Sequence, residues 1–250
     1  MGEKIGTLGD RIANRIIRHF PGPRVALKTD RPIVSFTMDD APIDAWAVGA
    51  KVLDDHGARG TFYIAGRLAT DEPDKFISID QCRDLHERGH EVACHTYEHQ
   101  KLSAFSRRDL IADLERNAHL LQSAAPTSAR RNFAFPYGMA SPKHQPLLRK
   151  TFRTSRSVIG GINRGLVDPM NLAGVELRPD AAFLDRAKAA LTEVLVNPGW
   201  LVFFTHDISD QPSFYGCPTK VFQELLSQAI DGGAQVLTVD KAADYFNIPK

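Results

Sequence analysis

The chain has 250 residues, 43% of them hydrophobic and 24% charged, which is enough for one globular domain with a sizeable core. A formal net charge of +1 leaves no global field to recruit nucleic acid. Cys82, Cys94 and Cys217 show no CxxC spacing and argue against a disulfide framework, and no apolar run reaches the roughly eighteen residues of a membrane span.

Residues 1–31 form a candidate N-terminal helical extension, with seven Lys/Arg against three Asp/Glu. Within residues 10–20, Ile12, Ile16, Ile17 and Phe20 make an apolar stripe beside Arg11, Arg15 and Arg18. Such a helix packs on the barrel or on a second subunit, or lies peripherally on an anionic membrane. Met1 to Pro23 has no signal-peptide hydrophobic region, so a cytoplasmic location is expected.

From residue 32 onward strands alternate with helices. Strands are predicted at about 33–38, 60–65, 91–94, 132–135, 152–157, 175–177, 200–205 and 235–238. Helices fall at about 44–56, 80–89, 105–124, 142–150, 184–196, 218–231 and 240–246. Asp44 and Ser106 are candidate N-caps, and Gly57 and Gly89 follow helix ends. Gly160–Gly174 reads as a long loop. In Ser209–Thr219, Phe214 and Tyr215 either stack on a sugar ring or merely pin their own loop. Repeated strand–helix units predict an α/β fold: a distorted (β/α)7-8 barrel with parallel strands, a single domain over 32–250. An open doubly wound sheet is the alternative.

The polar residues cluster at strand ends. Asp39-Asp40 ends the run Ile33–Met38, and His95 and His99 follow in Cys94-His95-Thr96-Tyr97-Glu98-His99. Pro136-Tyr137-Gly138 and Thr205-His206 also follow predicted strands, and in a parallel barrel such ends converge on one face. Two adjacent carboxylates and two imidazoles supply three metal ligands and one carboxylate left for proton transfer. An open fourth coordination position describes a catalytic rather than a structural metal.

On these motifs the chain resembles the polysaccharide deacetylase (NodB-homology) family, carbohydrate esterase family four. The family's T-F-D-D-G-P is matched by Thr37-Met38-Asp39-Asp40-Ala41-Pro42, and its H-[ST]-x-x-H by His95-Thr96-Tyr97-Glu98-His99. R-x-P-Y-G is matched in part by Ala134-Phe135-Pro136-Tyr137-Gly138, and L-x-H in part by Phe204-Thr205-His206. The resemblance implies Asp39 as general base, Asp40, His95 and His99 as metal ligands, and His206 as general acid. It also implies an oxyanion contact from the Tyr137 backbone N–H in the Pro136–Gly138 turn. The expected cofactor is one divalent metal, Zn²⁺ first and Co²⁺, Ni²⁺ or Fe²⁺ as alternatives.

Two supports are absent from their usual places. Ala134 replaces the third-motif arginine, and no D-x-x-D-W fourth motif is found to orient the acid histidine. Arg153, Arg156 or Arg178 is a candidate for the guanidinium, and Asp180 or Asp207 for the orienting carboxylate. The expected reaction is removal of an N-acetyl group from an amino sugar in a polysaccharide or glycan precursor. The alternatives are hydrolysis of another small amide or ureide, or a weakly active carbohydrate-binding protein. A homo-oligomer is possible on the sequence, and no transmembrane segment is expected.

Overall fold

All seven residues of Ile33–Asp39 are buried, as a central parallel strand covered on both faces requires. The computed structural model describes residues 22–126 and 131–249. Its strands are β1 (Val25–Leu27), β2 (Ile33–Asp39), β3 (Thr61–Ile64), β4 (Glu91–Cys94), β5 (Asn132–Ala134) and β6 (Thr154–Arg156). They continue as β7 (Gly165–Val167), β8 (Val175–Glu176), β9 (Trp200–Thr205), β10 (Ile208–Ser209), β11 (Cys217–Pro218) and β12 (Gln235–Val236).

The main sheet runs β6-β5-β4-β3-β2-β9-β8, with parallel pairing throughout. β3 pairs the end of β2, while β12 pairs its first two residues. The sheet curls until its edges meet. Leu172 bridges Arg156 of β6, and three residues later Val175 of β8 pairs with Phe203 of β9. The result is the distorted parallel barrel of a single domain, as the strand–helix alternation predicts.

Helices pack outside the sheet. In Thr219–Asp231 the stripe Phe222, Leu225, Leu226 and Ala229 is fully buried, and the Phe222 ring meets Phe36 at 5.2 Å. Each such Leu or Phe contributes roughly 1.5–3 kcal/mol by leaving water. Ser78 closes a capping box with Gln81 at the start of Ile79–Glu87. Ser106 caps Arg107–Gln122, and Gly57 and Gly89 take φ of 67° and 86° after their helices. No helix among the described residues is long and apolar enough to cross a membrane.

Three sequence expectations change. Asp44 makes no side-chain cap, because the chain enters through a π-helical turn, Ala45–Ala50, with Asp44 already helical. Gly160–Gly174 is not irregular throughout: it contains β7, which pairs antiparallel with β1. The buried Asn163 amide ties the same segment down, donating to Ala173 and Trp200 carbonyls and accepting from the Ala173 N–H. Within the extension assigned to 1–31, the described residues 22–31 hold the strand β1, not a helix. The amphipathic stripe at 10–20 lies outside the described residues.

Candidate metal centre

Five strands of the barrel each deliver a different group to their carboxyl ends. Asp39 is the last residue of β2, His95 follows β4, Pro136-Tyr137-Gly138 follows β5, Arg156 ends β6, and His206 follows β9. Parallel pairing puts these ends on one face.

Backbone strain sharpens the placement. Six non-glycine residues among those described have left-handed φ, and five of them, Asp40, Ala41, Thr96, His99 and Tyr137, belong to these turns. Such positions cost roughly 1–3 kcal/mol each and persist where the surroundings fix them. At Ala41 (φ 50°) the family's glycine would sit unstrained. Around His95–His99 the fixing group is Asp113, whose carboxylate accepts the Tyr97 N–H at 2.8 Å and the Glu98 N–H at 2.9 Å. Thr96 Oγ1 accepts the His99 N–H at 3.1 Å. Gly138 combines φ 64° with a close approach, since a Cβ there would lie 2.3 Å from Val158.

Asp40, His95 and His99 present one ligand atom each, all within 4.8 Å of one another. His99 Nε2 lies 3.0 Å and His95 Nε2 3.6 Å from Asp40 Oδ1. The His95 Nδ1–H donates to the Ala134 carbonyl at 2.9 Å, which turns the Nε2 lone pair toward Asp40. Burial pushes His95 down to about 3 and His99 to about 4, so both rings are neutral at ordinary pH. Three ligand atoms therefore face one another, and Asp40 Oδ1 is buried with no hydrogen-bond donor among the described residues. A cation satisfies that arrangement, and no side chain among the described residues donates to that oxygen.

Asp39 lies beside this cluster but has its own partner. Arg156 Nη2 bonds both of its carboxylate oxygens, with the guanidinium fully buried and packed 4.4 Å from the Phe204 ring. Burial alone raises the Asp39 carboxyl, but Arg156, with His95 and His206, outweighs it and holds the group below its ordinary value. Asp40 goes the other way. Its burial prevails over the attraction of His206, and Asp39 adds like-charge repulsion, so it rises to about 6. The two adjacent aspartates are thus driven apart, one held as a carboxylate and one penalised for being charged without a cation.

That contrast yields a prediction. With chelator present, Asp40→Asn stabilises the fold, because a raised pKa makes the ionised Asp40 a cost that grows with pH. The gain should be roughly 1 kcal/mol larger at pH 7 than at pH 5. Chemical denaturation at both pH values measures it, and a gain that shrinks toward pH 7 contradicts the assignment.

His206 stands at the edge of the cluster, Nε2 being 3.9 Å from Asp40 Oδ2. Its ring Nδ1–H donates to the Tyr215 carbonyl at 3.3 Å. The Tyr137 ring lies 4.8 Å from that of His99 and is half exposed.

Of the five supporting candidates, Arg156 alone reaches a site carboxylate. Arg153 does not serve: it precedes β6, at the opposite end of the barrel, and bonds Asp244 at 2.5 Å and the Ile248 carbonyl at 2.8 Å. Arg178 instead bonds Glu176 at 2.6 Å and packs against Phe183, Phe214 and Tyr215. Asp180 caps the helix Ala181–Val196 through the Ala182 N–H at 2.9 Å. The Asp207 carboxylate binds Ser213 and not the His206 ring. Asp113 went unassigned in the sequence. Its signal was a lone carboxylate in the inward stripe Leu110, Leu114, Ala118 and Leu121.

Residues 26–152, just over half of the chain, match the family described as Polysaccharide deacetylase. Arg156 and His206 lie beyond the matched segment. A chitooligosaccharide deacetylase of Sinorhizobium fredii (strain NBRC 101917 / NGR234) is 33% identical over 114 residues, covering 45% of this chain and 50% of that protein. The chain thus matches about half the length of that curated relative. Two of the solved structures that share the fold are family 4 carbohydrate esterases. A family 4 acetyl xylan esterase from Clostridium thermocellum, in complex with a cobalt ion, is 19% identical with a TM-score of 0.62, over 87% of this chain and 93% of that one. PdaA of Bacillus subtilis, a family 4 carbohydrate esterase, is 13% identical with a TM-score of 0.62, over 93% and 88%.

Proposed function

The chain belongs to the polysaccharide deacetylase family, and from that membership we propose that it hydrolyses the N-acetyl group of an amino sugar in a polysaccharide or glycan precursor. It is then a hydrolase of carbon–nitrogen bonds other than peptide bonds. The observation that carries this reading is the juxtaposition of the ligand cluster Asp40, His95 and His99 with a separate, arginine-held Asp39.

Asp40, His95 and His99 hold one divalent metal. A carboxylate and two imidazoles suit Zn²⁺, and also Co²⁺, Ni²⁺ or Fe²⁺. Such an ion polarises an acetamide carbonyl and lowers the pKa of a water molecule. Asp39 accepts the proton of the water whose oxygen adds to the acetyl carbon. The Tyr137 backbone N–H, in the turn fixed by Gly138 and packed beside His99, donates to the oxyanion that forms. As the C–N bond breaks, its electron pair goes to nitrogen, and His206 Nε2–H protonates that nitrogen. A free amine and acetate leave. Burial of Asp39 and His95 behind the mouth excludes bulk water from the charge separation.

Release of acetate from a panel of N-acetylated oligosaccharides, with and without chelator, tests the proposal. Acetate that disappears with chelator and returns on adding Zn²⁺ is the expected result. Turnover of small amides but of no glycan would shift the assignment to a ureide- or amide-type substrate. Undiminished acetate release by a metal-free preparation would overturn the metal role.

A further inference from the structure

We propose that Asp207 is a positioning residue for His206, acting through the backbone carbonyl of Tyr215 in place of a direct carboxylate contact. The inference rests on the acid role of His206 proposed above. It accounts for a chain that has no D-x-x-D-W segment and yet holds the histidine in one orientation.

The acceptor at the histidine is a carbonyl. The Tyr215 oxygen takes the His206 backbone N–H at 3.2 Å, the Thr205 hydroxyl at 3.2 Å and the His206 ring Nδ1–H at 3.3 Å. A carbonyl can only accept, so Nδ1 keeps its own proton throughout, and Nε2, which carries the proton to be transferred, is the nitrogen turned to the reacting centre. The Tyr215 ring packs against the imidazole at 5.4 Å and restrains its rotation from the side.

What places this carbonyl is Asp207. Its carboxylate accepts the Ser213 N–H at 2.7 Å and also the Ser213 hydroxyl. Its own carbonyl accepts the Cys217 N–H at 2.8 Å, so one residue grips both sides of the loop. Ser213 passes the constraint on: its hydroxyl oxygen accepts the Tyr215 N–H at 3.3 Å and its carbonyl the Gly216 N–H at 3.0 Å. Gly216 lies against the same carboxylate, where a Cβ would come within 2.5 Å of Asp207 Oδ1. From the other side Arg178, tied to Glu176, supports the Phe214 and Tyr215 rings at 4.7 and 4.5 Å. Asp207 itself is only 8% exposed, so its bonds are not shared with solvent. The Asp207 carboxylate is therefore spent on shaping a turn, and the turn presents the acceptor.

The test exploits a difference in leaving groups. Amide cleavage needs a proton on nitrogen, whereas an activated aryl ester releases a stable anion unaided. Asp207→Ala should lower kcat on an N-acetylated oligosaccharide about 10- to 100-fold. It should leave aryl acetate turnover and metal content as in the unaltered protein, and Asp207→Asn, which keeps one acceptor oxygen for Ser213, should recover part of the loss. Ser213→Ala should show the same amide-selective loss, and it carries the test if Asp207→Ala fails to fold. Equal losses on amide and ester, or a folded Asp207→Ala with unaltered amide kcat, would overturn the positioning role. His206→Ala separates the two levels. If it lowers amide turnover no more than ester turnover, the acid assignment fails. If it shows the amide-selective loss and neither loop variant does, only the positioning role fails.

Discussion

Asp39→Asn should lower turnover of an N-acetylated oligosaccharide by about 10²–10⁴-fold while leaving the bound metal in place. The reason is the division of labour between neighbours. Asp39 is the end of β2 and its two oxygens are both taken by Arg156, so it contributes nothing to the cluster of Asp40, His95 and His99. An amide keeps the volume and one acceptor oxygen but cannot take a proton from water. His95→Ala behaves differently, because it removes a ligand atom and leaves the Ala134 carbonyl without its donor. That variant should lose metal and activity together. Metal analysis of the purified variants beside acetate release distinguishes them, and an Asp39→Asn protein that is both inactive and metal-free would place Asp39 among the ligands.

The second large effect is expected at Arg156. Its guanidinium is fully buried and packs on Phe204, and its loss leaves the Asp39 charge, itself 5% exposed, without a counter-ion. Breaking a buried pair on one side costs about 3–5 kcal/mol. Misplacing the base should lower kcat about 10- to 100-fold in addition. Because the pairing depresses the Asp39 pKa, its stabilisation is present above the ordinary carboxylate range and is lost as pH falls through the depressed value. The stability gap between Arg156→Ala and the unaltered protein should therefore narrow in strong acid. Register supplies a rescue: Ala134 of β5 lies directly across from Arg156 of β6. Ala134→Arg combined with Arg156→Ala brings a guanidinium from the neighbouring strand toward the same carboxylate, and should restore much of the lost kcat. A folded Arg156→Ala enzyme with full kcat would refute the pairing's role.

These two cases mark where the sequence was readable. The Asp39-Asp40 pair and His95–His99 are short-range patterns, legible as spacings although Asp113, on another element, fixes the second turn. The alternation of buried strands with helices likewise made the parallel barrel legible. Arg156 was one of three arginines offered for the missing guanidinium, and choosing among them requires the β5–β6 register, which depends on how two short strands meet across more than twenty residues of chain. Arg153 is three positions earlier, just before β6 begins, and lies at the far end of the barrel, where Asp240 and Asp244 engage it. The Tyr215 carbonyl that stands in for an orienting carboxylate has no side-chain signature at all. Nor do the left-handed backbone angles at Asp40, Thr96 and His99, where non-glycine residues hide the conformation. Asp113 was accessible in principle, because a charge inside an apolar helical stripe needs a partner, and here the partners are two backbone N–H groups.

Anomalous diffraction at the zinc edge from crystals grown with Zn²⁺ examines the central arrangement most directly. The account predicts a single peak about 2.0–2.2 Å from an Asp40 oxygen and from Nε2 of both His95 and His99, with Asp39 still bonded to Arg156 and outside the coordination sphere. A peak bound by Asp39, or density elsewhere with these three side chains unligated, would contradict it.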